Sequence, residues 1–205
     1  MTKTTNFPSS ALVAAMQEVI KLPQELELHP ITLELVEKTY PQLEASLPYL
    51  AEFLPWAKNT TLSSLLYFSQ SLLAQHQAGT SLEFYIYDAL KQVYVGRISA
   101  RIFTANATYP QGYVDYGYYL FQEQQGHGYM QRALTGLRTL IASYEPEISM
   151  VVRTLAHNVK SKQVALKSGF VQVEQASQQS DDKASYTFIY VKNSLSLNLE
   201  SFLRI

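Results

Sequence analysis

The sequence predicts a single mixed α/β domain, in which a central sheet is flanked by helices. The chain has 205 residues, 47% of them hydrophobic, which is enough apolar surface for one sizeable core. Apolar residues recur at helical spacing before Gly79, whereas strand-like patterns dominate immediately after it. The predicted order of elements is α-β-α-α followed by β-β-β-α-β-α-β-β, which differs from the regular alternation of a doubly wound sheet.

The first predicted elements are a helix and an edge strand. Ser9 and Ser10 can cap a helix that continues to about Lys21 and ends near Pro23. Residues Leu26–Ile31 alternate between apolar and polar side chains, which is typical of a strand with one buried face.

Two further helices are predicted before the sheet. The first covers Thr32–Leu43, although Pro41 argues for a break just before it, and the apolar segment Leu47–Trp56 follows as a separate stretch interrupted by prolines. The second covers Leu62–Gln77, in which leucines recur near helical spacing, and Gly79 ends it.

Three strands come next, at Ser81–Tyr87, Val93–Phe103 and Gly112–Phe121, because each is rich in β-branched and aromatic residues. A turn around Asp88–Lys91 joins the first two. The remaining predicted elements are a helix at Gly126–Tyr144, a buried strand at Glu147–Leu155, a helix from Asn158 to Ser168, and strands at Phe170–Glu174 and Tyr186–Lys192.

The composition argues against several classes of function. A net charge of −1 gives no overall basic field for nucleic acid. The chain has no cysteine, which excludes disulfides, thiolate metal ligands and a cysteine nucleophile, and which is typical of a protein of the reducing cytoplasm. Its four histidines are scattered, so we expect no metal site. No apolar run approaches the roughly 18 residues of a membrane helix, so no membrane partner is expected.

The most informative turn is the stretch Q-E-Q-Q-G-H-G-Y-M, in which Gly126 and Gly128 stand between a predicted strand and a predicted helix. The first turn of a helix has unpaired N–H groups, and glycine lets a phosphate approach them. Gln131 occupies the place of the third glycine of a dinucleotide fingerprint, and the G-K-[ST] of a nucleotide triphosphate loop is absent. The turn therefore either binds another phosphate ligand or only redirects the chain.

A second motif, H-N-V-K-S-K-Q-V-A-L-K-S-G-F, covers His157–Phe170. Asn158 and Ser161 are three residues apart and share one helical face. They are either ligand contacts or simply an N-cap and a first-turn residue. The lysines of this helix, Lys160, Lys162 and Lys167, would by themselves indicate a solvated face.

In this order and spacing the two motifs resemble the GCN5-related N-acetyltransferases (GNAT family), and most of all their ribosomal-protein N-terminal acetyltransferase branch of the Rim type. The resemblance implies the GNAT fold, with a mostly antiparallel twisted sheet that is splayed at the cofactor strand. It implies an N-acetyltransferase domain at residues 26–193, preceded by an N-terminal helical extension (1–25) and followed by a C-terminal tail (194–205).

The resemblance also assigns residues to acetyl-CoA. The backbone of the glycine turn would hold its pyrophosphate, the strand before the turn would pair with the pantetheine, and the second motif would contact the pantetheine and the thioester sulfur. The residues so assigned are Gln125, Gly126, His127, Gly128, Tyr129 and Met130 in the turn, Tyr119, Leu120 and Phe121 in the strand, and Asn158 and Ser161 in the second motif.

For catalysis, the resemblance points to Asp115 as a general base, although a solvent-facing strand residue is the alternative, and to Ser161 as an acid or sulfur-binding group. Trp56 and Tyr118 are expected to contact the acceptor. Gly117 within the strand indicates a bulge or a close backbone approach that opens the sheet.

The expected function is acetyl-CoA-dependent N-acetylation of a primary amine, by direct attack because no cysteine is present. The acceptor is expected to be a protein or peptide N-terminus. The alternatives are a small amine such as an antibiotic or polyamine, and an acyl-CoA-binding sensor without catalysis. The protein is expected to be a monomer or a homodimer.

Overall fold

A computed structural model describes residues 7–176 and 185–190. Within them, one eight-stranded sheet has the order β1-β2-β3-β4-β5-β6-β8-β7, and every neighbouring pair is antiparallel except β5 with β6. The strands are β1 (Ile20–Leu22), β2 (Leu26–Pro30), β3 (Ser81–Asp88), β4 (Val93–Phe103), β5 (Tyr113–Leu120), β6 (Ser149–Leu155), β7 (Val171–Ala176) and β8 (Ser185–Tyr190). The α-helices are α1 (Ser10–Ala15), α2 (Leu33–Leu50), α3 (Leu62–Gln77), α4 (Tyr129–Tyr144) and α5 (Val159–Lys167). The predicted mixed α/β fold with a mostly antiparallel sheet is confirmed.

The N-terminal segment is part of the domain core. Helix α1 ends at Ala15, not at about Lys21, and the chain then forms strand β1, which the sequence did not predict. Ile20 pairs with Leu28, and both side chains are buried, which favours a strand over a longer helix in this short segment. Since Leu12 of α1 is also fully buried, the segment predicted as an extension packs together with the rest of the sheet.

Helix α2 continues through Pro41 and Pro48, so the predicted break before Pro41 and the separate apolar segment after it are wrong. Proline inside a helix removes a hydrogen bond and costs about 3 kcal/mol. Val36, Leu43 and Leu50 lie along this helix and are all buried in one core cluster, and this packing outweighs the local cost.

The helices cover the sheet on both faces. Helices α2 and α3 pack on one face, in a core cluster that includes Val36 and Leu65. Helices α1, α4 and α5 pack on the other face, in a cluster that includes Leu12, Leu134 and Ala165. Because side chains alternate along a strand, β5 contributes even-numbered residues to the α4 side and odd-numbered residues to the α2 side.

The sheet opens between its two parallel strands. Pairing of β5 with β6 begins at Tyr113 and Ser149 and stops at Tyr116 and Val152. Beyond this point, within the described part of the chain, β5 pairs only with β4, as far as Leu120, and β6 pairs only with β8. The splay predicted at this strand is therefore present, and it leaves one edge of β5 without a partner among the described strands.

Gly117 lies at the start of the opening. The β4–β5 register runs through it without interruption, so the bulge considered from the sequence is absent from this strand pair. The close backbone approach is present, since a Cβ at Gly117 would lie 3.0 Å from Oγ of Ser99. The Ser99 hydroxyl also donates to the carbonyl of Gly117 at 3.2 Å, which fixes β5 to β4 while β6 diverges.

Within the described ranges, no helix combines the length and the apolar character needed to cross a bilayer. The predicted C-terminal tail, residues 194–205, lies outside the described residues.

Candidate active site

A cleft of about 560 Å³ follows the opening between β5 and β6. Its walls are the end of helix α2, the end of β5 that is not paired with β6, the loop before α4, the first turn of α4, and one side of helix α5. Its position and its lining residues identify it as the candidate active site.

The glycine loop closes one end of the cleft. Gly126 and Gly128 have φ values of +83° and +70°, in the left-handed region that favours glycine, and Gly128 is the N-cap of helix α4. A Cβ at either position would meet no atom within 4 Å, so both glycines border open space. The unpaired N–H groups of the first helical turn are next to this space, which makes it suited to an anion.

Two lysines add positive charge beside the glycine loop. Lys160 donates a hydrogen bond from Nζ to Oε1 of Gln125 at 2.8 Å, and it lies 5.2 Å from the ring centroid of Tyr49. Lys167 lines the same cleft. The sequence indicated only a solvated face for these lysines. They are exposed, but the fold also places them at the mouth of the cleft, because α5 approaches the loop before α4.

Asn158 and Ser161 combine the two roles that the sequence left open. Oδ1 of Asn158 accepts a hydrogen bond from the backbone N–H of Ser161 at 3.1 Å, so Asn158 is the N-cap of helix α5. Both residues also line the cleft. Capping fixes the first turn of α5, and it thereby holds the Ser161 hydroxyl at the cleft wall.

Tyr118 faces Ser161 across the opening. Its phenolic oxygen lies 3.1 Å from Oγ of Ser161 and 3.3 Å from the carbonyl oxygen of the same residue. Burial raises the pKa of the Tyr118 phenol to about 12, while the hydrogen bond with Ser161 opposes this shift. The phenol is therefore neutral at physiological pH, and it can donate a proton inside the cleft.

The opposite wall of the cleft is aromatic. Tyr119 lines the cleft, and its ring lies 5.6 Å from that of Trp56, which is 43% exposed and stands outside the lining. Tyr49, Leu50 and Phe53 complete this wall. The sequence did not predict these three residues as part of the site, because the prolines of α2 obscured the helix at whose end they lie.

Asp115 lies outside the cleft lining, on the α2 side of the sheet. Its Oδ2 accepts hydrogen bonds from Arg101 at 2.9 Å and from Arg153 at 2.8 Å. Burial raises the pKa of the Asp115 carboxyl, and the two guanidinium groups oppose this. With only 2% of the residue exposed, it is not the solvent-facing residue considered from the sequence. Its carboxylate is paired with two arginines and lies outside the cleft lining, so its position does not support the predicted role of general base.

Most residues predicted to bind the cofactor line the cleft, and their roles remain predictions. Two do not line it. Phe121 is buried in the core on the α2 side, where its N–H donates to the carbonyl of Val95. His127 is exposed, and its ring centroid lies 5.6 Å from that of Tyr129. The residues that do line it are Tyr119, Leu120, Gln125, Gly126, Gly128, Tyr129, Met130, Asn158 and Ser161, together with Tyr118.

Comparison with protein families gives one match, in which residues 25–171 fit the model described as an acetyltransferase (GNAT) domain. A comparison with curated protein sequences found no significant match.

Comparison with solved structures shows the same fold in several acetyltransferases. The ribosomal L7/L12 alpha-N-protein acetyltransferase RimL, in complex with coenzyme A, has a TM-score of 0.74 and 20% identity, over 85% of this chain and 98% of that one. The ribosomal-protein-S5-alanine acetyltransferase of Vibrio fischeri has a TM-score of 0.72 and 17% identity, over 86% and 97%. The microcin C7 self-immunity acetyltransferase MccE, in complex with acetyl-CoA and AMP, has a TM-score of 0.70 and 19% identity, over 82% and 92%.

Proposed function

Because the chain belongs to the acetyltransferase (GNAT) family, we propose that it transfers the acetyl group of acetyl-CoA directly to the α-amino group of a protein or peptide. The observation that carries the proposal is the opening of the sheet beyond Tyr116. It joins an anion-binding glycine loop at one end to the Tyr118–Ser161 pair at the other. The folds shared with two ribosomal-protein acetyltransferases support a protein acceptor.

We expect acetyl-CoA to lie along the cleft, from the glycine loop to the Tyr118–Ser161 pair. The glycine loop and Lys160 would hold the pyrophosphate, through backbone N–H groups and one positive charge. The free edge of β5 at Tyr119 and Leu120 would pair with the amides of the pantetheine, as an added strand pairs with a sheet edge. The wall formed by Tyr49 and Phe53 would exclude water from the pantetheine.

The thioester supplies an activated acetyl group, and the residues at the opening control its transfer. A backbone N–H on the free edge of β5 can stabilise the negative charge that develops on the carbonyl oxygen. Tyr118 is a neutral donor held by Ser161, so it can protonate the departing thiolate. An α-amino group has a pKa near ~8, so a substantial fraction of the acceptor is already neutral and a strong base is unnecessary.

Two measurements test the proposal in sequence. First, millimolar acetyl-CoA should raise the melting temperature, because a ligand that binds only the folded state stabilises it. Second, thiol release should be observed with peptides that have a free N-terminus and not with the same peptides after N-terminal blocking. Thiol release with polyamines alone would indicate that the acceptor is a small amine and not a protein. Binding without release for any amine would indicate a sensor, and the absence of any thermal shift would refute the acetyl-CoA site.

A further inference from the structure

We propose that Arg101 and Arg153 form a carboxylate-binding subsite beside the opening, so that the preferred acceptor carries a carboxylate close to its reactive amine. This inference rests on the proposed function, and it names the class of acceptor for the same site. The structural basis is a cluster in which Arg101 of β4 and Arg153 of β6 converge on Asp115 of β5.

The strand register brings the three residues together on one face. Arg101 is directly opposite Asp115 in the antiparallel β4–β5 pair. Asp115 is opposite Val151 in the parallel β5–β6 pair, and Arg153 follows two residues later on the same face. The face is the α2 side of the sheet, which also carries Tyr119. Helices α4 and α5 cover the other face, and although α2 and α3 pack on this one, Arg101 and Arg153 remain about half exposed on it, so we expect the amine to approach from this side.

The charges of the cluster are unbalanced. One carboxylate serves two guanidinium groups, and it uses a single oxygen, Oδ2, for both of them. Oδ1 of Asp115 is buried and has no hydrogen-bond partner among the residues that the structure describes. The neighbouring Glu83 is already paired with the buried Arg97 at 3.2 Å. In these three ion pairs, three arginines face two carboxylates, so one positive charge is in excess among the five residues.

The arginines also keep donors available for a ligand. The side chain of Arg101 is 53% exposed and that of Arg153 is 44% exposed, whereas that of Asp115 is 3% exposed. Asp115 accepts from one terminal nitrogen of each guanidinium, and a guanidinium has five N–H donors in a planar fork that suits carboxylates. Arg153 is further positioned by Tyr113, whose ring centroid is 5.5 Å from the centre of the guanidinium.

The cluster is close enough to the opening to select the acceptor. The last β5–β6 pair is Tyr116 with Val152, so Arg153 is the first residue of β6 past the point of separation. Asp115 precedes Gly117, the first residue of β5 past its pairing with β6, by two positions, which is about 7 Å along a strand. A carboxylate bound to the arginines would therefore be two or three peptide residues from an amine at the thioester.

The test uses the full chain and matched acceptor peptides that differ only by Asp or Asn at the second or third position. We expect kcat/KM to be about 10-fold to 100-fold higher for the Asp peptides, mainly through a lower KM. Two further acceptors are tested: the peptide with phosphoserine at the same position, and free amino acids. They distinguish recognition of a phosphate or of an α-carboxylate from recognition of the proposed side-chain carboxylate.

Variants of the two arginines test whether these residues cause the preference for the Asp peptide over the Asn peptide. Arg153→Gln and Arg101→Gln should each lower kcat/KM for the Asp peptide about 10-fold and leave it within about twofold for the Asn peptide. Lys21→Gln, which removes an exposed charge at the far edge strand β1, is the control and should change neither value. An equal loss for both peptides would show that the arginines only support the fold, and equal rates for both in the unaltered protein would overturn the proposal.

A binding measurement separates this inference from the proposed function. Calorimetry with the same peptides in the presence of coenzyme A needs no acetyl transfer. Tighter binding of the Asp peptide without any acetyl transfer would support the carboxylate subsite and refute the enzyme activity. Acetyl transfer without a difference between the Asp and Asn peptides in binding or in kcat/KM would support the enzyme activity and refute the subsite.

Discussion

The phenolic oxygen of Tyr118 lies 3.1 Å from the hydroxyl oxygen of Ser161, and this contact joins strand β5 to helix α5 across the opening of the sheet. Both residues line the cleft. Since burial keeps the phenol protonated, we expect Tyr118 to donate a proton to the departing thiolate and Ser161 to orient the phenol.

Removal of the phenol should affect chemistry more than binding. We expect Tyr118→Phe to lower kcat about 100-fold, which is the size typical of a lost general acid, and to leave the Kd for acetyl-CoA within about twofold. Single-turnover assays and calorimetry measure the two quantities. Ser161→Ala should lower kcat by a smaller factor, and the double variant should be no worse than Tyr118→Phe, because both residues act through one proton. A double variant whose loss of kcat equals the combined losses of the two single variants would contradict this coupling.

The pKa of Tyr118 predicts a dependence of stability on pH. The folded-state value of about 12 exceeds the unfolded tyrosine value of ~10, so unfolding releases a proton between these limits. The free energy of unfolding should therefore fall as pH rises from about 10 towards 12. Tyr118→Phe should make this fall shallower without abolishing it, because burial raises the pKa of Tyr116 and Tyr119 as well. Urea unfolding at a series of pH values tests this, and identical slopes for the two proteins would refute it.

Gly126 allows a test that separates backbone strain from obstruction of the cleft. Any L-residue at its φ of +83° costs about 1–2 kcal/mol, so Gly126→Ala and Gly126→Glu should lower the melting temperature by similar amounts. Their side chains would project into open space, where only the glutamate adds bulk and negative charge. We expect the affinity for acetyl-CoA to fall more than 10-fold for Gly126→Glu and less than that for Gly126→Ala. Equal affinities for the two variants would exclude this loop as the phosphate site.

Lys160 should contribute only to the phosphate part of the cofactor. We expect Lys160→Gln to weaken acetyl-CoA binding about 3-fold to 10-fold, which is reasonable for one exposed charge-assisted contact. Acetyl-pantetheine has no phosphate, so its KM should not change. Lys21→Gln again serves as the matched control. A parallel loss for both thioesters would show that Lys160 acts through the packing of Tyr49 and helix α5 instead.

The parts of the site that follow from short sequence segments could be predicted. The glycine loop depends on two positive φ values within one turn, and the cap of α5 depends on Asn158 and the backbone of Ser161. Both are local, so the residue types alone indicate them. The fold class followed in the same way from periodicity and from the order of elements.

The parts that depend on tertiary packing could not be predicted. Helix α2 continues through Pro41 because buried residues on both sides of the proline outweigh a local penalty. The contacts of Asp115 with Arg101 and Arg153 depend on the register of three strands that are distant in sequence. No local pattern contains this register, so the sequence indicated a base where the fold has an ion-pair cluster.

The variant Asp115→Asn distinguishes a role of Asp115 as general base from a role as the anchor of Arg101 and Arg153. As the anchor of the arginines, Asp115 contributes charge-assisted hydrogen bonds, so we expect its replacement to lower the free energy of unfolding by about 1–3 kcal/mol. The change also removes the negative charge that bridges two half-exposed guanidinium groups, so the preference for acidic peptides should persist or increase. The acidic limb of the pH–rate profile should keep its position, because it reflects protonation of the acceptor amine. A loss of that limb with a 100-fold lower kcat, at unchanged stability, would instead identify Asp115 as the general base.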